Sequence, residues 1–309
     1  MRVYRQVSDF NSHCHPVATV GVFDGVHLGH MEIIRRLSAI AVEKNCESVV
    51  ITFEPHPRLV LPHHAEVKLL QTLSEKLERF ELAGVNAVLV IPFDREFAKL
   101  TPHDFIKNVL VESLHVSHVI TGYDHFFGQN RQGDYGMLLQ MGKQYNFTVD
   151  ELPMVTAGSN SVSSSSVRRA LLDGDVSLAS RLLGYDYSIT GEVVAGNKIG
   201  RNIGFPTANL KPNSVHKLIP GQGVYASLVK INGQVYKGMT NIGYRPTIDA
   251  DHLTIEVNIF DFEQDIYNQE LTLTLIQRIR NEKRFNSLGE LQQQLGNDKI
   301  TAGEILAGC

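Results

Sequence analysis

The chain has 309 residues, 43% of them hydrophobic and 20% charged, with a formal net charge of −4. That length provides for two domains with separate cores, and no apolar run approaches the ~18 residues needed to cross a bilayer as a helix. Neither half carries the excess of Lys and Arg that neutralises a polynucleotide backbone, so a soluble protein with neither a nucleic-acid nor a membrane partner is expected. The segment Met1 to Val7 lacks the apolar stretch of a secretory signal. Cys14, Cys46 and Cys309 are odd in number and widely spaced, which suits reduced thiols, and a cytoplasmic location is expected.

Up to about residue 150, short β-rich runs alternate with stretches of helical period, the pattern of parallel βαβ units. Strands are predicted at 18–23, 48–53, 87–93, 118–121 and 147–152. After the first, Ile33, Ile34, Leu37, Ile40 and Ala41 form one apolar helical stripe. Thr72 and Glu75 read as a capping box, Gly84 as the stop of that helix, and Thr101-Pro102 with Asp104 as another helix start. Beyond Tyr185 the pattern becomes short strands at 187–194, 223–231, 234–242, 254–260 and 271–279. They are separated by turns, with Asn232-Gly233 as a type I′ hairpin turn. A closing helix is expected to pack through Leu288, Leu291 and Leu295.

Ligands of an open α/β sheet sit beyond the carboxyl ends of its strands. There the chain reads Gly21-Val22-Phe23-Asp24-Gly25-Val26-His27-Leu28-Gly29-His30. Gly21 and Gly25 permit a sharp turn close to a ligand, and the helix opening near Gly29 aims unpaired N–H groups at an anion. His27 and His30, three apart at a helix entry, can share one pocket and donate to phosphate oxygens. This arrangement resembles the nucleotidyltransferase superfamily, which transfers AMP or CMP to a phosphate. Class I aminoacyl-tRNA synthetases share the histidine pair, but the chain has neither their K-M-S-K-S-like loop nor a basic tRNA-binding region.

Downstream segments narrow the resemblance. Thr52-Phe53-Glu54-Pro55-His56-Pro57 follows the second strand. Gly122-Tyr123-Asp124-His125-Phe126-Phe127-Gly128, with Arg131 and Gly133, follows the fourth. Val162-Ser163-Ser164-Ser165-Ser166-Val167-Arg168 opens a helix. Together they resemble the adenylyltransferase half of the bifunctional bacterial riboflavin kinase and FMN adenylyltransferase (FAD synthetase) family, over residues ~15–185. The resemblance implies that an FMN phosphate attacks the α-phosphate of ATP, giving FAD and pyrophosphate, while His27 and His30 steady the developing charge. It places Gly21, Phe23, Asp24, Gly25, Gly29, Asp124, Gly128 and Arg131 around nucleotide or flavin, and Ser163, Ser164, Ser165 and Arg168 on phosphates. Mg2+ is implied to neutralise the leaving pyrophosphate. Two positions depart from the family: His125 replaces an aromatic residue and Ser165 a threonine.

A second constellation follows residue 186. Gly196, Gly200 and Gly204 form a loop whose N–H groups can wrap phosphates, with Lys198 and Arg201 adding charge. Pro206-Thr207-Ala208-Asn209 is extended, so Thr207 and Asn209 face one side and offer oxygens to a hard cation such as Mg2+. These segments resemble the riboflavin kinase domain. The resemblance implies that Glu256 takes the proton from the ribityl 5′-hydroxyl as ATP gives up its γ-phosphate. Glu270 is a second candidate base, and Arg280 and Phe285 fall where flavin contacts begin.

The expected architecture is therefore a doubly wound parallel-sheet nucleotidyltransferase domain (1–185) followed by a small antiparallel β-barrel kinase domain with a C-terminal helix (186–309). Its expected partners are riboflavin, FMN, FAD and ATP, with the oligomeric state left open. Two other readings are a different adenylyltransferase joined to an unrelated barrel and a flavin-binding regulator that has lost the chemistry. They are disfavoured by Pro206 to Asn209 and by the presence of His27, His30 and Glu256. His13-Cys14-His15 and His63-His64 read as polar loop.

Overall fold

The computed structural model describes residues 1–12, 14–61, 67–123, 125–158, 160–196, 200, 203–246 and 251–308, with only the backbone of 245, 246, 251 and 252. Asp124, Lys198 and Arg201, together with His13, His63, His64 and Cys309, lie outside the described residues. Two compact units divide the chain, Met1–Ser163 and Ser164–Cys309.

The first unit holds strands β1 (Arg2–Tyr4), β2 (Val17–Val20), β3 (Ser48–Glu54), β4 (Ala87–Pro92), β5 (His118–Gly122) and β6 (Thr148–Leu152). They make one parallel sheet in the order β1-β4-β3-β2-β5-β6. Its helices are α1 (Leu28–Glu43), α2 (Pro57–Val60), α3 (Leu73–Leu82), α4 (Pro102–Phe105), which runs on as a π-wound segment over Ile106–Ser113, and α5 (Tyr135–Tyr145). Alternation along the strands buries both faces, as a parallel sheet covered on two sides requires. Ala18, Val20, Val49, Ile51 and Leu89 pack with Phe105, Ile106, Leu110 and Met141. Val17, Val50, Val88 and Ile120 meet Ile34, Leu37 and Ile40 of α1 and Phe80 of α3. A short hairpin, β7 (Thr156–Ala157) and β8 (Asn160–Ser161), ends the unit.

The second unit begins with α6 (Ser164–Leu172) and α7 (Val176–Leu183). Six strands follow: β9 (Ser188–Val194), β10 (Ala208–Pro212), β11 (Gly223–Ile231), β12 (Gln234–Pro246), β13 (Asp251–Ile259) and β14 (Glu270–Arg280). They close into an antiparallel barrel in the order β10-β13-β12-β11-β14-β9. The β11–β12 turn is the expected pair, Asn232 and Gly233, with φ of 48° and 81°. The helix pair is tied to the barrel. Ser177 Oγ donates to the Ile276 carbonyl at 3.3 Å, Gly221 N–H to Leu171 O at 2.8 Å, and Arg278 to Asp173 O at 3.0 Å.

Three expectations need correction. The first predicted strand ends at Val20 rather than at residue 23, because Phe23 and Val26 take positive φ (52° and 35°) and turn the chain out of the sheet. The last helix, α8 (Leu288–Ile305), does not dock through Leu288, which is 62% exposed in the first turn after the Ser287 cap. Of the expected leucines Leu295 does pack, joined by Ala302, Ile305 and the following Leu306, against Ala226 and Met239. Strands β1 and β10, the β7–β8 hairpin and helix α7 were not among the predicted elements.

Candidate active sites

The turn after the central strand β2 carries the histidines. Its backbone is unusual: Phe23, Gly25 and Val26 all have positive φ, at 52°, 90° and 35°. The conformation places His27 as the cap of α1, where its Nδ1 accepts the backbone N–H of His30 at 3.3 Å. A neutral His27 therefore carries its proton on Nε2 and presents that atom as a donor. The rings of His27 and His30 stack at 3.6 Å and 15°, and Phe23 meets His30 edge-on at 5.0 Å. Gly29 leaves room beside the stack, since a Cβ there would stand 3.2 Å from the His27 ring. His30 as a whole residue is half-buried, and its Nδ1 is buried without a hydrogen-bond partner. Burial first, then the nearby His27 and Lys76, hold the His30 imidazole well below the ordinary histidine range, so it is neutral at pH 7.

Asp24 is 4% exposed and accepts the N–H groups of Leu70 (3.0 Å) and Gln71 (3.2 Å). Its carboxylate thus fastens the approach to α3, the helix that opens with the expected Thr72–Glu75 capping box. Lys76, one turn into α3, is 4% exposed with its ammonium against the Val22 carbonyl. Sequence reasoning missed it. The available signal was a lysine on the same helical face as Leu73, Leu77 and Phe80, where a solvated cation has no place.

Around the carboxyl end of β5, His125 stacks on Phe127 (5.6 Å, 20°). Burial, aided by Arg131, lowers its pKa to about 4, so a neutral ring stands where the family has an aromatic one. Gly128 (φ 69°) lies against Pro102, and the exposed Arg131 holds its guanidinium 5.3 Å from the Phe126 ring. Ser163 ends the first unit. Ser164 opens α6 of the second, with Ser165 exposed and Arg168 half-buried in its first turns.

In the second unit the strand register brings candidate residues together. Buried Val193, Leu210, Ile242, Ile255 and Val257 alternate with Val194, Asn209, Asn241 and Glu256, which therefore line the outer wall of the barrel. Asn209 pairs across β10–β13 with Glu256, and Glu256 across β13–β12 with Asn241. Directly opposed residues share a face, so these three form one row. The Asn209 amide lies over Gly196, where any Cβ would collide with it, and Gly200 lies against the Phe205 carbonyl with Thr207 beside it. Gly204 has φ 82°, and the Pro206 carbonyl accepts from Asn258 at 2.7 Å.

Thr207, Asn209 and Glu256 present neutral and anionic oxygens, the donor set a small hard cation takes. Among the described residues no group of three or more His, Cys, Asp or Glu side chains clusters as a metal site. Glu282 was missed by sequence reasoning, because it lies in a run of charged residues that reads as solvated surface. Its carboxylate lies over Gly243, on the same wall two residues beyond Asn241. Burial raises its pKa, Arg280 and Arg284 oppose the rise, and Glu256 adds to it.

Other candidates are placed elsewhere. Glu270 pairs with Glu192 on β9 and accepts from Asn213 at 2.8 Å, outside the Asn209–Glu256 row. The Arg280 guanidinium is held by Asp298 of α8 at 2.8–3.0 Å, with the Phe285 ring 5.7 Å away.

Two protein families match the chain in succession. The FAD synthetase family matches residues 9–166, and the riboflavin kinase family matches residues 183–306. A Listeria monocytogenes protein described as a bifunctional riboflavin kinase/FMN adenylyltransferase is 40% identical over 285 residues, 92% of this chain and 90% of its own. A Bacillus subtilis protein of the same description is 40% identical over 292 residues, 93% and 91% of the two chains. A crystal structure described as a macrolide-efflux protein from Streptococcus pneumoniae superposes with a TM-score of 0.88 at 31% identity, covering 97% of each chain. Among the described residues, no helix is long and apolar enough to cross a membrane. With both domain families present in this order and relatives matched over nine-tenths of its length, the chain belongs to the bifunctional riboflavin kinase/FMN adenylyltransferase family.

Proposed function

We propose that this chain converts riboflavin to FMN on the barrel unit and FMN to FAD on the parallel-sheet unit, each step using ATP. One observation carries the reading: each compact unit holds its own phosphate-handling constellation, the His27–His30 stack in one and the Asn209–Glu256 row in the other. Residues 1–185 are assigned to adenylyl transfer and residues 186–309 to the kinase.

On the barrel, Glu256 accepts the proton of the ribityl 5′-hydroxyl as its oxygen attacks the γ-phosphorus of ATP. The bond to the bridging oxygen breaks, leaving FMN and ADP. Gly196, Gly200 and Gly204, with Lys198 and Arg201, surround the phosphates, and Arg280 and Phe285 border the flavin end. Mg2+ held by Thr207 and Asn209 supplies charge neutralisation to the phosphates when bound.

On the sheet, an FMN phosphate oxygen attacks the α-phosphorus of ATP and pyrophosphate leaves. His27, through Nε2–H, and His30 donate to the phosphate oxygens as charge builds. Gly21, Phe23, Gly25 and Gly29 bring the backbone close. Asp24 holds the neighbouring loop, and Asp124, Gly128 and Arg131 border nucleotide or flavin. By the family resemblance, Ser163, Ser164, Ser165 and Arg168 are assigned to phosphate contacts. The partners are these small molecules, with neither nucleic acid nor membrane among them, and the location is cytoplasmic.

The test is product analysis with riboflavin and Mg-ATP on two variants. H30A is expected to stop at FMN, with FAD formation down by roughly 100- to 1,000-fold. E256Q is expected to lose FMN formation by a similar factor, yet still make FAD from supplied FMN. Loss of both activities in either variant contradicts the two-site assignment.

A further inference from the structure

Lys76 occupies a position that packing alone does not explain. It shares the face of α3 with Leu77 and Phe80, and it is 4% exposed. Its ammonium donates to the Val22 carbonyl at 2.7 Å and to Thr52 Oγ1 at 3.4 Å, and the Thr52 hydroxyl donates to the same carbonyl at 3.2 Å. A buried ammonium is costly unless opposed by negative charge, and here Asp24 and Glu54 oppose it. A methionine would fill the same space without that cost.

The carbonyl it grips stands at one decisive place. Val22 is the last residue before Phe23 and Val26, non-glycine residues held at φ of 52° and 35°. Such conformations persist only where the surroundings over-determine them. Two donors converging on one carbonyl do so, one from α3 and one from β3. The next residues in the chain are His27, whose Nδ1 caps α1, and His30 stacked upon it.

We propose that Lys76 is a positioning residue for adenylyl transfer: its buried ammonium pins the Val22 carbonyl, and through it the turn that presents His27 and His30 to the phosphates. The inference rests on the reading of the histidine pair as the adenylyl-transfer site. A second effect follows from the charge. The groups facing this pocket are Asp24 and His27 from the turn, Glu54 from the end of β3, His30 from α1 and Lys76 from α3. After burial and His27, Lys76 is the third influence keeping His30 neutral. A neutral imidazole does not attract the ground-state triphosphate by charge and reserves its hydrogen bond for the transition state.

The experiment uses the full chain and measures FAD formation from FMN and FMN formation from riboflavin. K76M is expected to lower kcat for FAD formation on the order of 100-fold with KM for FMN little changed, leaving the kinase activity intact. Removing the charge also raises the pKa of His30, so FAD formation should fail at a higher pH on acidification. K76R, which keeps a cationic donor, should restore the acidic limb and part of kcat. K76M with wild-type kcat and an unmoved limb overturns the proposal, as does K76R behaving like K76M. If K76M no longer binds FMN in the first unit, T52V decides: removing the second donor to Val22 should lower kcat in the same direction, and wild-type kcat there overturns the proposal. A wild-type chain that makes no FAD at all would instead overturn the underlying site assignment.

Discussion

At the scale of single residues, the His27–His30 stack sits beside one missing methyl group. A Cβ on Gly29 would stand 3.2 Å from Cε1 and Nδ1 of His27 and 3.8 Å from the Val162 carbonyl. The ring is buried and stacked on His30 at 3.6 Å, so a shift of its position disturbs the stack. G29A is therefore expected to displace the His27 imidazole and lower FAD formation by about tenfold or more, while FMN formation by the same chain is unchanged. FAD formation by G29A at the wild-type rate would show that the site tolerates a methyl group beside His27. Both histidines were legible in the sequence because their spacing at a helix entry is local. Lys76 was not read, although a lysine in an apolar stripe was visible. The carbonyl it grips lies 54 residues away, and no local pattern names such a partner.

At the scale of elements, the last helix shows how an apolar stripe can mislead. Leu288, Leu291 and Leu295 share a face by spacing, yet the helix is seated by Arg280 of β14 bridging to Asp298, which is 1% exposed. Gln294 adds a donor to the same carboxylate at 2.9 Å. Removing one partner of a buried pair leaves an uncompensated charge, so D298A is expected to destabilise the barrel unit by about 3 kcal/mol, read from denaturant unfolding. A loss within measurement error would show that the apolar contacts of Ala302 and Leu306 hold the helix unaided. Elements governed by local chemistry were read correctly. The capping box at Thr72 and the Asn232-Gly233 turn each depend on residues within three or four positions. The edge strand β1 was missed because three residues carry no period, and its pairing to β4 spans more than eighty positions.

At the scale of the whole molecule, the chain is two units with two chemistries, and the helix pair α6–α7 groups with the barrel. A fragment beginning at residue 164 is expected to phosphorylate riboflavin and to unfold at a temperature several degrees above a fragment beginning at residue 186. The shorter fragment loses the bonds from Leu171, Asp173 and Ser177 to the barrel and the cover of Val176, Ala179, Leu182 and Leu183. Identical melting temperatures would show that the helices do not support the barrel. The sequence by itself determined the two fold classes and the order of the units, because strand alternation, helix stripes, caps and glycine turns act over a few residues. Tertiary structure alone decided which side chains meet: Glu256 opposite Asn209 and Asn241, Arg280 committed to Asp298, Asp24 to the loop before α3, and Lys76 to Val22. Register and crossover set those meetings between residues distant in sequence, and a hydrophobic period specifies which face is buried without specifying what it is buried against.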